Sequence, residues 1–316
     1  MSNQFGSCPW PGHVPGPGIR TTGNYGRTSP AEASVSQLLS ETRIDSHQHY
    51  WHFDPAQYTW IGERQVLQRD WLPTDLEPLN LASGISGTVA VQARQQPIEN
   101  DYLLSLANHH EHIVGVVGWL DLTSTDTTND LTKYAEYSLF KGVRHNPTIE
   151  GTVETSARFA DNMKAMAQLG LSCDLLAKPT SWPTVLGLAI RFPNNIFVLD
   201  HIGNPGLGPD YWKQWKLFVA ELGRADNVFC KFSGLVNQGP ERHVTDTNVR
   251  PWFDHLLRHC GCQRVMFGTD WPVCTVMQSH RAVVELAAGC INSLTTDEQA
   301  WVWGRSAAVS YRLPPP

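Results

Sequence analysis

The chain has no long apolar run, no cluster of basic residues and no even set of cysteines. No apolar stretch reaches the ~18 residues needed to cross a bilayer, and the first residues show neither a basic segment nor an apolar one of the signal-peptide kind. The expectation is a soluble, cytoplasmic protein. Lys and Arg total 24 against 30 Asp and Glu, a formal net charge of −6, and the basic residues never form more than a short run. Nucleic acid and anionic membranes are poor partners for such a surface. The seven cysteines are an odd number, and several sit in apolar runs where a reduced thiol packs as a small hydrophobe, so no disulfide framework is expected. Cys260-Gly-Cys262 is too closely spaced for a zinc knuckle and has no second pair to complete four ligands. A Gly-x-Ser-x-Gly elbow is missing too, which leaves a serine hydrolase without support.

What is present is a chain of 316 residues, 41% hydrophobic and 17% charged, a composition that can bury a sizeable core. Residues 1–41 form a Gly/Pro-rich arm (Cys8-Pro-Trp-Pro-Gly-His, then Pro15-Gly-Pro-Gly) without a period of either 2 or 3.6. A helical turn is expected around Ala31–Glu41, and Trp10 offers an anchor for the arm. From residue 42 to 316 short β-type runs alternate with amphipathic stretches. Strands are expected at Arg43–His49, Gly87–Gln92, Ile113–Leu120, Lys141–His145, Leu171–Leu176, Ile196–His201, Val228–Phe232 and Arg264–Gly268. Helices are expected near 75–83, 100–110, 126–137, 155–169, 181–191, 210–223, 248–260 and 279–290. This βαβα alternation is that of a parallel sheet covered by helices, and eight units point to an α/β fold of the closed (β/α)₈ TIM-barrel type. Thr295-Thr-Asp-Glu is a capping signal for a further C-terminal helix running to Val309, before Pro314-Pro-Pro.

In such barrels chemistry gathers at the C-terminal ends of the strands. The first candidate strand carries His47 and His49, whose i, i+2 spacing puts two imidazoles on one face, as two arms of a metal site would need. The other strand ends supply Gln92, then Trp119 and Asp121, Arg144 and His145, Asp174, Asp200 and His201, Lys231 and Ser233, and Asp270 before Trp271-Pro272. His201 ends a very apolar strand and reads equally as a hydrogen-bonded core imidazole or a ligand. Asp270 reads as a functional carboxylate, because burial without a nearby cation is costly. Asp174 and Asp200 read as supporting groups. Arg144 could bind a substrate oxygen or lock its own loop through a salt bridge. Trp51, Tyr58, Trp60, Trp119, Trp182 and Trp271 offer flat walls of the kind sugar rings pack on, although most tryptophans are core.

Ile44-Asp-Ser-His-Gln-His-Tyr-Trp, Tyr58-Thr-Trp-Ile, Arg69-Asp-Trp-Leu-Pro-Thr-Asp-Leu, Lys141-Gly-Val-Arg-His, Val198-Leu-Asp-His-Ile-Gly-Asn-Pro, Lys231-Phe-Ser-Gly-Leu and Met266-Phe-Gly-Thr-Asp-Trp-Pro together resemble the amidohydrolase-related family. Within it the resemblance is to the branch of sugar-lactone hydrolases, the L-fuconolactonases and L-rhamnonolactonases. It spans residues 43 to 312 and leaves the arm uncovered. The resemblance implies a metal-dependent hydrolase on a TIM barrel with His47, His49, His201 and Asp270 as the metal positions. Binuclear relatives carry a carboxylated lysine at the end of the fourth strand, where this chain has Arg144-His145. One divalent ion, zinc by ligand type or manganese, is therefore expected, with metal independence left open.

The expected reaction is hydroxide attack on a lactone carbonyl, with Asp270, His201 and His145 as catalytic groups and Arg144, Gln92, Trp51, Lys231 and Trp271 around the substrate. Arg144, His145 or Lys231 would stabilise the oxyanion. A decarboxylase, another ester or amide hydrolase, or a non-catalytic ligand-binding barrel remain the alternatives, since one fold hosts many chemistries. The expected partner is a small-molecule lactone, with homo-oligomer formation left open. Because the arm's composition contributes little to a core, deletion of residues 1–38 is expected to leave a folded, soluble barrel. A large drop in melting temperature, or aggregation, would show that the arm covers apolar surface.

Overall fold

A computed structural model of the chain describes residues 42–148, 151–238 and 244–313. The arm, its helical turn around Ala31–Glu41, Cys8 and Trp10, and the closing Pro314-Pro-Pro lie outside the described residues. Eight strands, β1 (Ile44–Gln48), β2 (Gly87–Val91), β3 (Ile113–Gly118), β4 (Phe140–His145), β5 (Ser172–Leu175), β6 (Phe197–Leu199), β7 (Val228–Phe232) and β8 (Val265–Phe267), form one sheet in sequence order. Every neighbouring pair is parallel. The helices are α1 (Pro73–Ser83), α2 (Ile98–His109), α3 (Thr127–Ala135), α4 (Ala157–Leu169), α5 (Trp182–Arg191), α6 (Pro209–Leu222), α7 (Asp246–Cys260) and α8 (His280–Ile291), one after each strand. Among the described residues each expected strand and each expected helix between strands is present; β7 matches its expected bounds, β4 begins one residue earlier, and the other six strands are shorter by one or more residues.

Side-chain alternation sorts the strand residues into two apolar groups. Ala90, Val116, Val143, Cys173, Leu175, Phe197, Leu199, Cys230 and Phe267 face the helices in the larger core. Val89, Val91, Val117, Val198, Phe229 and Met266 face inward with Ile44 and form a second cluster with Ala307, Tyr311 and Leu313 from the chain's last segment. That segment begins with the expected capping box. The Glu298 carboxylate accepts from the Thr295 amide (2.9 Å) and hydroxyl (2.7 Å), and the Thr295 hydroxyl accepts from the Glu298 amide. α9 (Thr296–Ala300) runs through a π-helical turn (Trp301–Arg305) into α10 (Ser306–Ser310). Gly304 allows the close approach: a Cβ there would lie 2.4 Å from the Thr42 carbonyl oxygen at the entry to β1.

The barrel closes between β8 and β1. The Thr269 amide donates to Asp45 Oδ1 at 2.9 Å and the Thr269 hydroxyl to Asp45 Oδ2, while the Ser46 hydroxyl donates to the Phe267 carbonyl at 2.6 Å. Above them the Asp270 amide donates to the His47 carbonyl (2.8 Å) and the His49 amide to the Trp271 carbonyl (2.7 Å). Burial pushes the Asp45 carboxyl up to about 6, against the stabilising bonds from Thr269. Among the described residues no helix is long and apolar enough to cross a membrane, and the six cysteines there are unpaired thiols. Asp45→Asn replaces an acceptor oxygen with a donor facing donors, so it is expected to destabilise the fold by about 1–3 kcal/mol. Denaturant unfolding of the variant beside the parent reads this directly, and an unchanged midpoint would remove Asp45 from the closure.

Candidate active site

Three imidazoles and one carboxylate meet at the barrel mouth. His47 Nε2 and His49 Nε2 lie 3.2 Å apart. Asp270 Oδ1 is 3.8 Å from His47 Nε2, 3.5 Å from His49 Nε2 and 3.9 Å from His201 Nε2. The i, i+2 spacing in β1 thus does bring both histidines to one point. His201 and Asp270 reach it through left-handed turns, at φ 54° and 59°, and Ile202 and Asn204 share that conformation. Non-glycine residues held there cost of order 1–3 kcal/mol each and gather at functional sites. Gly234, at φ 64°, makes room beside them, since a Cβ on it would sit 2.5 Å from His201 Nδ1.

The outer nitrogen of each ring has a polar neighbour, and for His47 Nδ1 the Lys231 ammonium at 3.0 Å is nearer than the Asp200 carboxylate. His49 Nδ1 is 2.8 Å from the Val91 carbonyl, which can only accept, so the proton is on Nδ1 and the lone pair on Nε2. His201 Nδ1 is 2.9 Å from the Ser233 hydroxyl, and His47 Nδ1 is 3.2 Å from Asp200 Oδ1. Carboxylates, carbonyls and hydroxyls behind a histidine orient it in this way at metal sites. Burial draws both His47 and His201 below their ordinary pKa. Lys231 reinforces this for His47 while Asp200 opposes it, and for His201 Asp270 and Asp200 oppose it. Burial thus favours the neutral form of His47 and His201, the form a ligand needs.

This arrangement fits a metal ion. Four of the distances among these atoms are 3.2–3.9 Å, close to the edge of about 3.4 Å for ligands about 2.1 Å from zinc, and the residues fall into two overlapping candidate ligand sets, His47, His49 and Asp270, and His47, Asp200 and His201. Without a cation between them, such acceptors repel. Asp270 has further support from the Asn237 amide, 3.4 Å from Oδ2.

Beneath the mouth lies a buried charge layer. The Lys231 ammonium, with no solvent exposure, is 2.6 Å from Asp174 Oδ2, 3.0 Å from Asp200 Oδ1 and 3.0 Å from His47 Nδ1. The Tyr311 hydroxyl donates to Asp174 Oδ2 at 2.7 Å, and Arg144 lies 3.6 Å from Asp200 Oδ2. Burial works to raise the Asp200 carboxyl, but Lys231 and then His47 override it and hold the group well below the carboxylate range. Asp174 and Asp200 are supporting groups, as the sequence suggests.

Above the four convergent atoms opens a cavity of about 1010 Å³. His49, His201, Asp270, Gln92 and Arg144 line it, as do Trp60, Arg94, Asn146, Lys178, Asn237 and Met277. Gln92 Oε1 and Arg144 Nε are buried there without a hydrogen-bond partner among the described residues, and the second Arg144 nitrogen donates to the Gln92 carbonyl at 2.9 Å.

Four of the expected site residues are elsewhere. Lys231 does not reach the cavity, because its ammonium is spent on Asp174 and Asp200 below the floor. Trp51 is fully buried, donates to the Arg69 carbonyl at 2.9 Å and stands edge-on to Trp60, so it backs the wall and does not form it. Trp271 is fully buried against Trp71 and Tyr50. His145 turns to Glu154, 2.8 Å away, and to the Phe159 ring. Glu154 also accepts from the Thr148 amide and hydroxyl. Arg94, Asn146, Lys178 and Asn237 escape sequence reading because they sit in loops past the strand ends, where no period marks a facing side.

Lys231→Met tests the reassignment. It leaves Asp174 and Asp200 buried without their cation, which is expected to cost about 3–5 kcal/mol of stability. A lysine serving only as an oxyanion donor would instead lower turnover with melting temperature unchanged.

The profile of the family described as amidohydrolase matches residues 44–313. A Burkholderia multivorans protein named L-fucono-1,5-lactonase is 35% identical over 292 residues, covering 88% of this chain and 98% of the relative. A Burkholderia ambifaria protein of the same name is 31% identical, covering 87% and 97%. The crystal structure of a Burkholderia multivorans amidohydrolase with bound zinc superposes with a TM-score of 0.81 at 34% identity, covering 86% of this chain and all of that one. With family profile, fold and relatives in agreement over nearly the whole described chain, this protein belongs to the amidohydrolase family.

Proposed function

We propose that the protein is a metal-dependent lactonase that opens a sugar lactone, of the aldonolactone class, to its hydroxy acid. The observation that carries the reading is the convergence of three imidazole Nε2 atoms and the Asp270 carboxylate on the floor of a polar cavity. The 31–35% identity to proteins named L-fucono-1,5-lactonase supports the substrate class. His47, His49, His201 and Asp270 would hold the ion, with zinc the first fit and manganese the second. A divalent cation bound there supplies Lewis-acid polarisation and brings the pKa of water to about 7.

The chain's own residues account for the rest. Asp270 takes the proton of the attacking water and returns it to the ring oxygen as the C–O bond breaks, so one carboxylate serves as base and then acid. The Arg144 guanidinium faces the cavity and suits both the developing oxyanion and the product carboxylate, geometry for which a planar cation is adapted. Gln92 lines the cavity, where its side-chain amide suits a substrate hydroxyl. Trp60, exposed on the wall and held by a 2.7 Å bond from its indole N–H to the Ala93 carbonyl, gives a sugar ring a flat face.

Asp270→Asn keeps the shape and removes the basic carboxylate. General acid–base catalysis contributes about 10²–10⁴-fold, so kcat for lactone opening is expected to fall by at least about 100-fold. A panel of aldonolactones, followed by acid release with a pH indicator and with metal content measured in the same samples, makes the comparison. A variant that retains metal and turns over at the parent rate rules out Asp270, and a parent that opens none of the lactones rules out the reaction.

A further inference from the structure

A second group of ligand-type side chains lies on the outer layer, away from the barrel mouth. Glu77 is on the exposed side of α1, while His110 and His112 fall between α2 and β3, and one ligand atom of each lies within 4.8 Å of the others. The local backbone explains the pairing. His110 follows the last turn of α2 in extended conformation, φ −132° and ψ 99°, and a turn closed by the Ile113 amide on the His110 carbonyl (2.9 Å) brings His112 back beside it. Their centroids are 5.8 Å apart at 64°.

His112 carries the more telling observation. Its Nε2 lies 3.3 Å from the buried Tyr50 hydroxyl. Its Nδ1 is buried and has no hydrogen-bond partner among the described residues. Buried polar nitrogens are seldom left so. In the tautomer that donates Nε2–H to Tyr50, Nδ1 keeps its lone pair, the arrangement in which a hydroxyl or carbonyl behind a histidine prepares it as a ligand. Burial keeps the ring neutral by drawing His112 below its ordinary pKa, Glu77 acting against this and His110 with it.

We propose that Glu77, His110 and His112 form a second, peripheral site for a divalent transition-metal ion of the zinc class. Two imidazoles and one carboxylate are a recurrent three-residue zinc set that leaves a position for water. A metal here would tie α1 to the start of β3, joining the helix layer to the sheet across two βα units. The site does not depend on the reaction at the barrel mouth.

The test is zinc binding by the full chain, measured by equilibrium dialysis, for the parent and for Glu77→Gln and His110→Gln. Glu77 is exposed and His110 half-buried, and both lie outside the catalytic set. The parent is expected to hold one more equivalent of zinc than either variant at micromolar free zinc, and zinc is expected to raise its melting temperature more, since binding to the folded state alone is stabilising. Equal melting temperatures in chelator and equal lactone turnover would show that the variants keep their fold and barrel-mouth site. Equal zinc stoichiometry in parent and variants overturns the proposal, as does a zinc-induced shift in melting temperature that neither substitution reduces.

Discussion

The buried ammonium of Lys231 is the constraint on which the rest of the structure turns. It stands inside the barrel among Asp174, Asp200 and His47, and each of those contacts fixes something different. Asp174 receives the Tyr311 hydroxyl from below, Asp200 faces His47 and Arg144, and His47 presents Nε2 to the mouth. Two carboxylates in an apolar barrel are tolerable because one fully desolvated cation lies within 2.6–3.0 Å of both. The layer is polar, yet it specifies the ring orientation on which ligand geometry depends.

This explains why the site was legible only in part. His47, His49, His201 and Asp270 announce themselves by type and by position at strand ends, and the structure brings all four together. Lys231 has the same signature, and the sequence does not distinguish a side chain that reaches up into the cavity from one that pairs below it. That difference lies in where Asp174 and Asp200 sit on neighbouring strands, a matter of register across β5, β6 and β7. The tryptophans show the same limit. Trp51 and Trp271 look like cavity walls because they adjoin site residues, but packing turns both into the core and leaves Trp60 at the wall. The barrel itself was legible nearly element by element, because eight apolar runs separated by amphipathic stretches admit few other arrangements.

Cavity and charge layer divide the work between them. The lower layer is closed and held together by the ion contacts of one buried ammonium. The upper space is open and carries unpaired polar atoms, among them Gln92 Oε1 and Arg144 Nε, which are suited to a ligand rich in hydroxyl and carbonyl groups. Rigidity below and unsatisfied polarity above form a preorganised environment, in which donors need not move as charge develops.

Tyr311 ties the charge layer to the final described residues of a chain whose first candidate ligand is His47. The groups that meet at the mouth are therefore gathered from 47, 49, 201 and 270, and the support for their floor arrives only at 311. On a ribosome, which releases the N-terminal part first, the early strands emerge long before Asp270, Tyr311 and the closing contacts at Asp45 exist. A nascent chain carries His47 and His49 as an exposed pair with no carboxylate beside them. The candidate site is thus assembled only after the segments that carry residues 47 to 311 have all been made.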